Sequence, residues 1–304
     1  ALPWIFPPIP TISAPNFPQN SINEKLTYSI DTVSGFLPVF SDQIKVYTIF
    51  KPKPDLIALN KAGERVRSGG FTNGPFKVSD IIYDWSANSG DLQKNIRVNI
   101  DTFDFQVTSN LFSDPNIISA DNVPDQTEAV SMAKEFLEKM GYLSDNLDTE
   151  NTEVNMFSIS NNSFIPATSL SNAQIMQVNF FQNNIDDLPI YYQKPNESNI
   201  NVLIAGGNSS AQIVGANYLN QTVTAESSTY PIKTIDAAFT DLKNGKAYLA
   251  SFDEIGSEIK IKDVFLAYYM EPTAQNYLTP IFIFKGNNGF QAYVPAITDE
   301  FVNK

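Results

Sequence analysis

The adjacent carboxylates Asp186 and Asp187 are the nearest this chain comes to an acid–base pair. Such a pair can move a proton or hold a cation. Adjacent strand residues point to opposite faces, so the two read as turn formers, not as one site. Asp84, Ser86, Asn88 and Gly90 have some of the spacing of a calcium loop. The Gly is displaced by one, however, and Asn95 stands where a bidentate Glu belongs, so a polar turn is expected. The acidic run Asp145, Asp148, Glu150 and Glu153 reads as solvated charge. Gly206-Gly207-Asn208-Ser209-Ser210 lacks the Gly-Lys-Ser ending of a phosphate loop and predicts a hairpin turn. Four residues, Asn161, Asn196, Asn208 and Asn220, open Asn-x-Ser/Thr sequons and are the possible glycosylation sites. Tyr191-Tyr192, Tyr268-Tyr269 and Tyr293 have the ring faces to stack on a sugar or peptide. In strands, one member of each adjacent pair is expected in the core.

What is missing constrains the chemistry more than what is present. None of the 304 residues is His or Cys. No Ser-His-Asp or Cys-His nucleophile can be assembled, nor a zinc, haem or iron–sulfur site with the usual ligands. The sequence therefore predicts no enzyme, no catalytic residues, no metal site and no cofactor. A net charge of −13 lacks the clustered Lys and Arg that nucleic acid or anionic lipid requires.

The strongest elements lie late in the chain. Val264–Tyr269, Leu278–Phe284 and Phe290–Ile297 are rich in β-branched and aromatic residues, and Lys285-Gly286-Asn287-Asn288-Gly289 marks a turn. They predict a three-strand antiparallel meander. A helix is expected after Asp125, with Ala129, Met132, Ala133, Phe136, Leu137 and Met140 on one face and Gly141 as its stop. Another follows Pro231, with Ile235, Ala238, Phe239 and Leu242 inward. A third should begin near Asp55, carry Leu56, Leu59 and Val66 inward, and end at Gly69-Gly70. Ile96, Val98 and Ile100 alternate with polar residues, and that strand is expected to continue through Phe103, Phe105 and Val107.

The expected class is α+β, mostly antiparallel sheets each covered by one or two amphipathic helices, in two domains. Residues 1–23 hold Pro3, Pro7, Pro8, Pro10, Pro15 and Pro18 and read as a spacer or as an arm laid on the body. A β-rich domain with one helix is expected over 24–112, a connector over 113–126 and an α+β domain over 127–304.

Several pieces of the second half carry a family likeness. Glu128-Ala129 leads a helix to Gly141; Val178-Asn179-Phe180-Phe181-Gln182 precedes Leu188-Pro189-Ile190-Tyr191. Tyr230-Pro231-Ile232-Lys233-Thr234 precedes the next helix, and Leu278-Thr279-Pro280-Ile281-Phe282 and Ala292-Tyr293-Val294-Pro295-Ala296 close the set. Over residues 125–297 this resembles the YycH/YycI type of two-component-system regulatory protein, and more distantly PepSY-type modules. The resemblance implies a membrane-anchored, extracytoplasmic, non-enzymatic body acting through contact with a sensor kinase. Its anchor is not in this sequence, so an upstream segment is expected to tether it. Two functions follow: a regulatory module that binds a protein partner, or a self-associating subunit of a cell-surface layer or filament.

Overall fold

The computed structural model describes residues 10–19, 26–53, 55–89, 92–120, 122–207, 210–252 and 257–303. In chain order the strands and helices run β1 (Ile12–Ser13), β2 (Thr27–Ile30), β3 (Gln43–Ile49), α1 (Ala58–Ser68), β4 (Asn73–Lys77), β5 (Ile82–Ser89), β6 (Leu92–Asn99) and β7 (Phe105–Ser109). They continue with α2 (Pro115–Ile118), α3 (Gln126–Lys139), β8 (Leu147–Ser160), β9 (Ser163–Pro166), β10 (Ile175–Gln182), β11 (Ile190–Tyr191), β12 (Ile200–Ala205) and β13 (Gln212–Tyr218). The last are β14 (Val223–Pro231), α4 (Ile235–Lys243), β15 (Tyr248–Ser251), β16 (Glu258–Tyr269), β17 (Tyr277–Gly286), β18 (Gln291–Pro295) and β19 (Val302–Asn303). The fold is α+β, its described sheets open and mostly antiparallel.

The chain forms two compact units, one of residues 1–50, 184–195 and 221–304, the other of 51–183 and 196–220. The second unit is a nine-stranded sheet in the order β4-β5-β6-β7-β13-β12-β10-β8-β9. Helix α3 forms as the sequence predicts. Asp125 caps it by accepting from the Glu128 amide at 2.8 Å, and Glu135 pairs with Lys139 at 2.6 Å. Gly141, at φ 71°, lets the Tyr142 amide turn back to the Leu137 carbonyl. The buried face of Ala129, Ala133 and Leu137 lies with Val178, Phe180 and Val202 in one core. Alternation puts Ile175 on the opposite face with Leu92, Leu111 and Ile117, beneath the segment of α2.

Three expectations need correction here. Helix α1 starts at Ala58, and its buried face is Ala58, Ala62, Gly63 and Val66; Leu56 precedes it and is fully exposed. The strand expected to run from Ile96 through Val107 is two strands. The step from Ile100 to Phe103 is odd and breaks the period of two, and Phe103 turns at φ 61°. Nor do residues 113–126 separate one body from another. Strand β7, before them, pairs with β13, after them (Val107↔Ala216, Phe105↔Tyr218), within one sheet. Residues 24–50 belong to one unit and 51–112 to the other, and 127–304 contributes to both.

The first unit is built on the meander β16-β17-β18, in the register Leu266↔Phe282↔Val294. Helix α4, capped by Thr234 and stopped before Gly245 at φ 73°, covers one face. Phe282, Phe284 and Val294 pack there with Ala238, Phe239 and Leu242, and the Phe239 and Phe284 rings stack at 6.1 Å. Leu278 to Phe284 is an unbroken buried run, so the other face must be covered too. Ile281, Ile283 and Tyr293 project there, into a layer with Tyr248, Tyr269, Tyr191, Phe265 and Phe17. The cover therefore includes the proline-rich segment. Of it, residues 10–19 are an ordered arm; residues 1–9 of the same expected spacer or arm lie outside the described residues.

Candidate functional site

The chemistry-bearing residues are separated and satisfied, not gathered. Asp186 stands at φ 48° and Asp187 at φ 62°, as turn residues between the Ile185–Leu188 bridge. Asp186 accepts from the Tyr47 hydroxyl at 2.5 Å and pairs with Lys45 at 2.9 Å. The hydrogen bonds from Tyr47 and then Lys45 hold its carboxyl below the usual range. Burial, then the hydrogen bond to Asp186, pushes the Tyr47 phenol up, so neither group is poised to exchange protons near neutral pH.

Asp84, Ser86 and Asn88 lie inside β5, an extended strand and not the turn expected. Asp84 is held by Arg97 across the β5–β6 pair through bonds of 2.9 and 2.8 Å. Gly90 lies outside the described residues. Asp148 closes its own turn by accepting from the Glu150 and Asn151 amides at 3.1 and 3.0 Å. Asp148, Glu150 and Glu153 lie in β8 and Asp145 in the turn just before it, so most of the acidic run is strand. No three His, Cys, Asp or Glu side chains converge among the described residues.

The sequons differ sharply in setting. Asn161 sits in the exposed turn between β8 and β9 at φ 49°. Asn196 is exposed at φ 59°, but the sequon's Ser198 is buried and donates to the Phe180 carbonyl. The Asn220 amide is consumed: it donates to Ser144, Asn146 and Tyr218 at 2.9–3.0 Å and accepts from Asn146 at 2.9 Å. Asn208 lies outside the described residues. The tyrosine pairs are largely core: Tyr268, Tyr269 and Tyr293 are buried, and only Tyr191 is partly open.

Two features went unread in the sequence. One is an ion-pair network around α4. Lys233 bridges Asp241 at 2.9 Å and Asp299 at 2.7 Å, and Lys246 reaches Asp241 at 3.2 Å. The other is the loop of residues 31–42, joining β2 to β3. Gly35, at φ 76°, donates to the Thr32 carbonyl at 3.0 Å. The Thr32 and Ser34 hydroxyls donate to the Phe36 carbonyl at 2.8 and 3.0 Å, so the turn is held by its own bonds. Leu37 and Phe40 point into the core, with Phe40 against Phe282 at 5.3 Å. Val33, Phe36 and Val39 are left outside with 108%, 77% and 95% of their surface exposed. An ordered loop that presents three large apolar side chains to water has the character of a contact surface. The signal was present in Val33, Phe36, Leu37, Val39 and Phe40, an apolar run too interrupted by Gly35 and Pro38 for strand or helix.

No known protein family matches the chain, and no curated protein does. Among solved structures it is similar to an uncharacterized protein from Eubacterium rectale, at 12% identity and a TM-score of 0.36, over 90% of this chain and 88% of that one. It is also similar to the Bacillus megaterium YpeB C-terminal domain, at 12% identity and a TM-score of 0.39, over 82% and 95%. Both scores are too low to bear on function. The resemblance to the YycH/YycI type has no family match behind it.

Proposed function

We propose that this chain is a non-enzymatic interaction module that acts by protein–protein contact, outside the cytoplasm and tethered to a membrane. The observation that carries the reading is the ordered loop with Val33, Phe36 and Val39 in solvent. Exposing these side chains forgoes roughly 1.5–3 kcal/mol of burial each, which a partner would recover. Side-chain chemistry supports the same reading, because Asp186, Asp84 and Asp148 each have a hydrogen-bond partner within the protein. The YycH/YycI-type likeness suggests a sensor kinase as the partner, and the tether and location rest on it alone. No described helix is long and apolar enough to cross a membrane, so the tether would be a segment outside the described residues.

A photo-crosslinking amino acid at Phe36, in cells making the full-length protein, tests the reading. A discrete protein adduct is expected at Phe36 and none at Glu226, an exposed polar position on β14. Equal labelling at both, or adducts to lipid only, would reject it.

A second reading, a self-associating subunit of a cell-surface layer, is favoured by one observation: the arm of residues 10–19 docks on the body through contacts that another copy could also make.

A further inference from the structure

Residues 10–18 meet the body as a bound peptide would. Strand β1 adds parallel to β19, pairing Ile12 with Val302 and Ser13 with Asn303, and Ile12 is buried. The Tyr230 hydroxyl donates to the Pro10 carbonyl at 2.9 Å, and the Thr11 hydroxyl donates to the Asn303 side chain. The Asn16 amide donates to Glu271 Oε1 at 3.0 Å. Phe17 then enters an aromatic box. It stacks on Tyr248 at 5.4 Å, meets Tyr269 edge-on at 4.8 Å and lies 6.3 Å from Tyr293.

Within the arm, one backbone bond joins its own residues, from the Phe17 amide to the Pro15 carbonyl at 3.1 Å. Its other contacts above are to positions more than 200 residues away, as those of a separate ligand would be. Pro10, Pro15 and Pro18 restrict the free arm to extended forms, which lowers the entropy lost on docking. Strand addition, an anchoring aromatic and flanking prolines together make a peptide-recognition mode. The box also holds polar atoms at a cost. The Tyr269 and Tyr293 hydroxyls are buried without a protein hydrogen-bond partner.

We propose that this slot is a recognition site for an extended, proline-flanked aromatic peptide, and that its outside occupant is residues 10–18 of a second copy of this chain. The fit already seen is to this segment, and a second copy brings it without any new contact. The tethered arm competes at an effective concentration in the millimolar range, so exchange sets in when copies are crowded to that level. The proposal deepens the self-association reading above, on which it rests, and does not depend on the loop of residues 31–42.

The chain has no Cys, so introduced thiols report arm position cleanly. Thr11→Cys and Asn303→Cys replace exposed side chains that touch. Placed together in one chain, they should close an internal disulfide in dilute solution. Placed singly in two chains and mixed at about millimolar concentration, they should form the mixed disulfide well above its statistical share against the two homodimers. Adding Phe17→Ala to the Thr11→Cys chain should cut that yield roughly tenfold. Phe17→Leu should cut it less, and serves if the alanine variant does not fold. Excess synthetic peptide of residues 10–19 should suppress the cross-link. A double variant that fails to close would overturn the seat of the arm. Mixed disulfide at or below its statistical share, or a yield indifferent to Phe17, would overturn exchange.

Discussion

Phe17→Ala removes the one arm side chain that closes the aromatic face of the meander, and its cost can be worked from its surroundings. Truncating a fully buried Phe costs about 3–5 kcal/mol. Phe17 is largely but not fully buried, which brings the figure to about 2–3 kcal/mol by area. Its ring pairs with Tyr248 and Tyr269 add to that, since such pairs contribute about 0.5–1.5 kcal/mol beyond area. Water reaching the Tyr269 and Tyr293 hydroxyls works the other way, because both are buried without a partner while Phe17 is in place. A net loss of about 2 kcal/mol follows, and at about 2–4 °C per kcal/mol the unit containing the meander should melt about 4–8 °C lower. Differential scanning calorimetry reads the shift. A second observable is specific to the box. Burial holds the Tyr269 and Tyr293 phenols well above their ordinary value, and opening the box should bring their ionisation down on alkaline titration followed by ultraviolet absorbance. Phe36→Ala is the control: that side chain lies in solvent, and its loss should change stability by no more than about 0.5 kcal/mol. A Phe17→Ala protein with unchanged melting and unchanged tyrosine titration would refute the docked arm.

Two further outcomes follow from the same geometry. Burial alone would raise the Asp241 carboxyl, but the hydrogen bonds and charges of Lys233 and Lys246 outweigh it and hold the carboxyl below its ordinary value. Its contribution is thus present above the unfolded value of about 3.9 and is lost as pH falls through the lower folded value. Asp241→Asn should cost about 1–3 kcal/mol at neutral pH, with Asp299 still holding Lys233, and should flatten the stability loss of the wild type below about pH 4; parallel urea curves across that range would contradict the assignment. On secretion from a eukaryotic host, Asn161→Gln should remove a glycan mass, whereas Asn220→Gln should leave the mass of attached sugar unchanged, and a glycan lost with Asn220 would show its amide network to be open.

Much of this fold could be read locally. The caps at Asp125 and Thr234 and the stops at Gly141 and Gly245 lie within a few residues of the helices they bound. The meander declared itself through β-branched and aromatic residues and a Gly-Asn turn, and the unbroken buried run Leu278–Phe284 has both faces covered. What covers the second face could not be read, because Phe17 is more than 230 residues from Tyr248 and nothing local links them. Strand β14 was missed because Thr224–Thr229 is polar and mostly exposed; its strand character comes from pairing with β3. The join of β7 to β13 is equally invisible, being set by tertiary pairing and not by either segment's pattern. On the chemistry, the lack of His and Cys was legible at once. That Asp186 would be tied to Lys45 and Tyr47 was not, since the partner strand lies about 140 residues earlier in the chain.

The proposed contact surface is most open to test at the loop around Phe36, where Val33, Phe36 and Val39 stand in solvent. Irradiation of cells carrying the photoreactive residue at Phe36 should yield one protein adduct of defined mass, lost when Val33 and Val39 are both changed to Asp. Irradiation that yields no adduct, or an adduct indifferent to those two changes, would contradict the account.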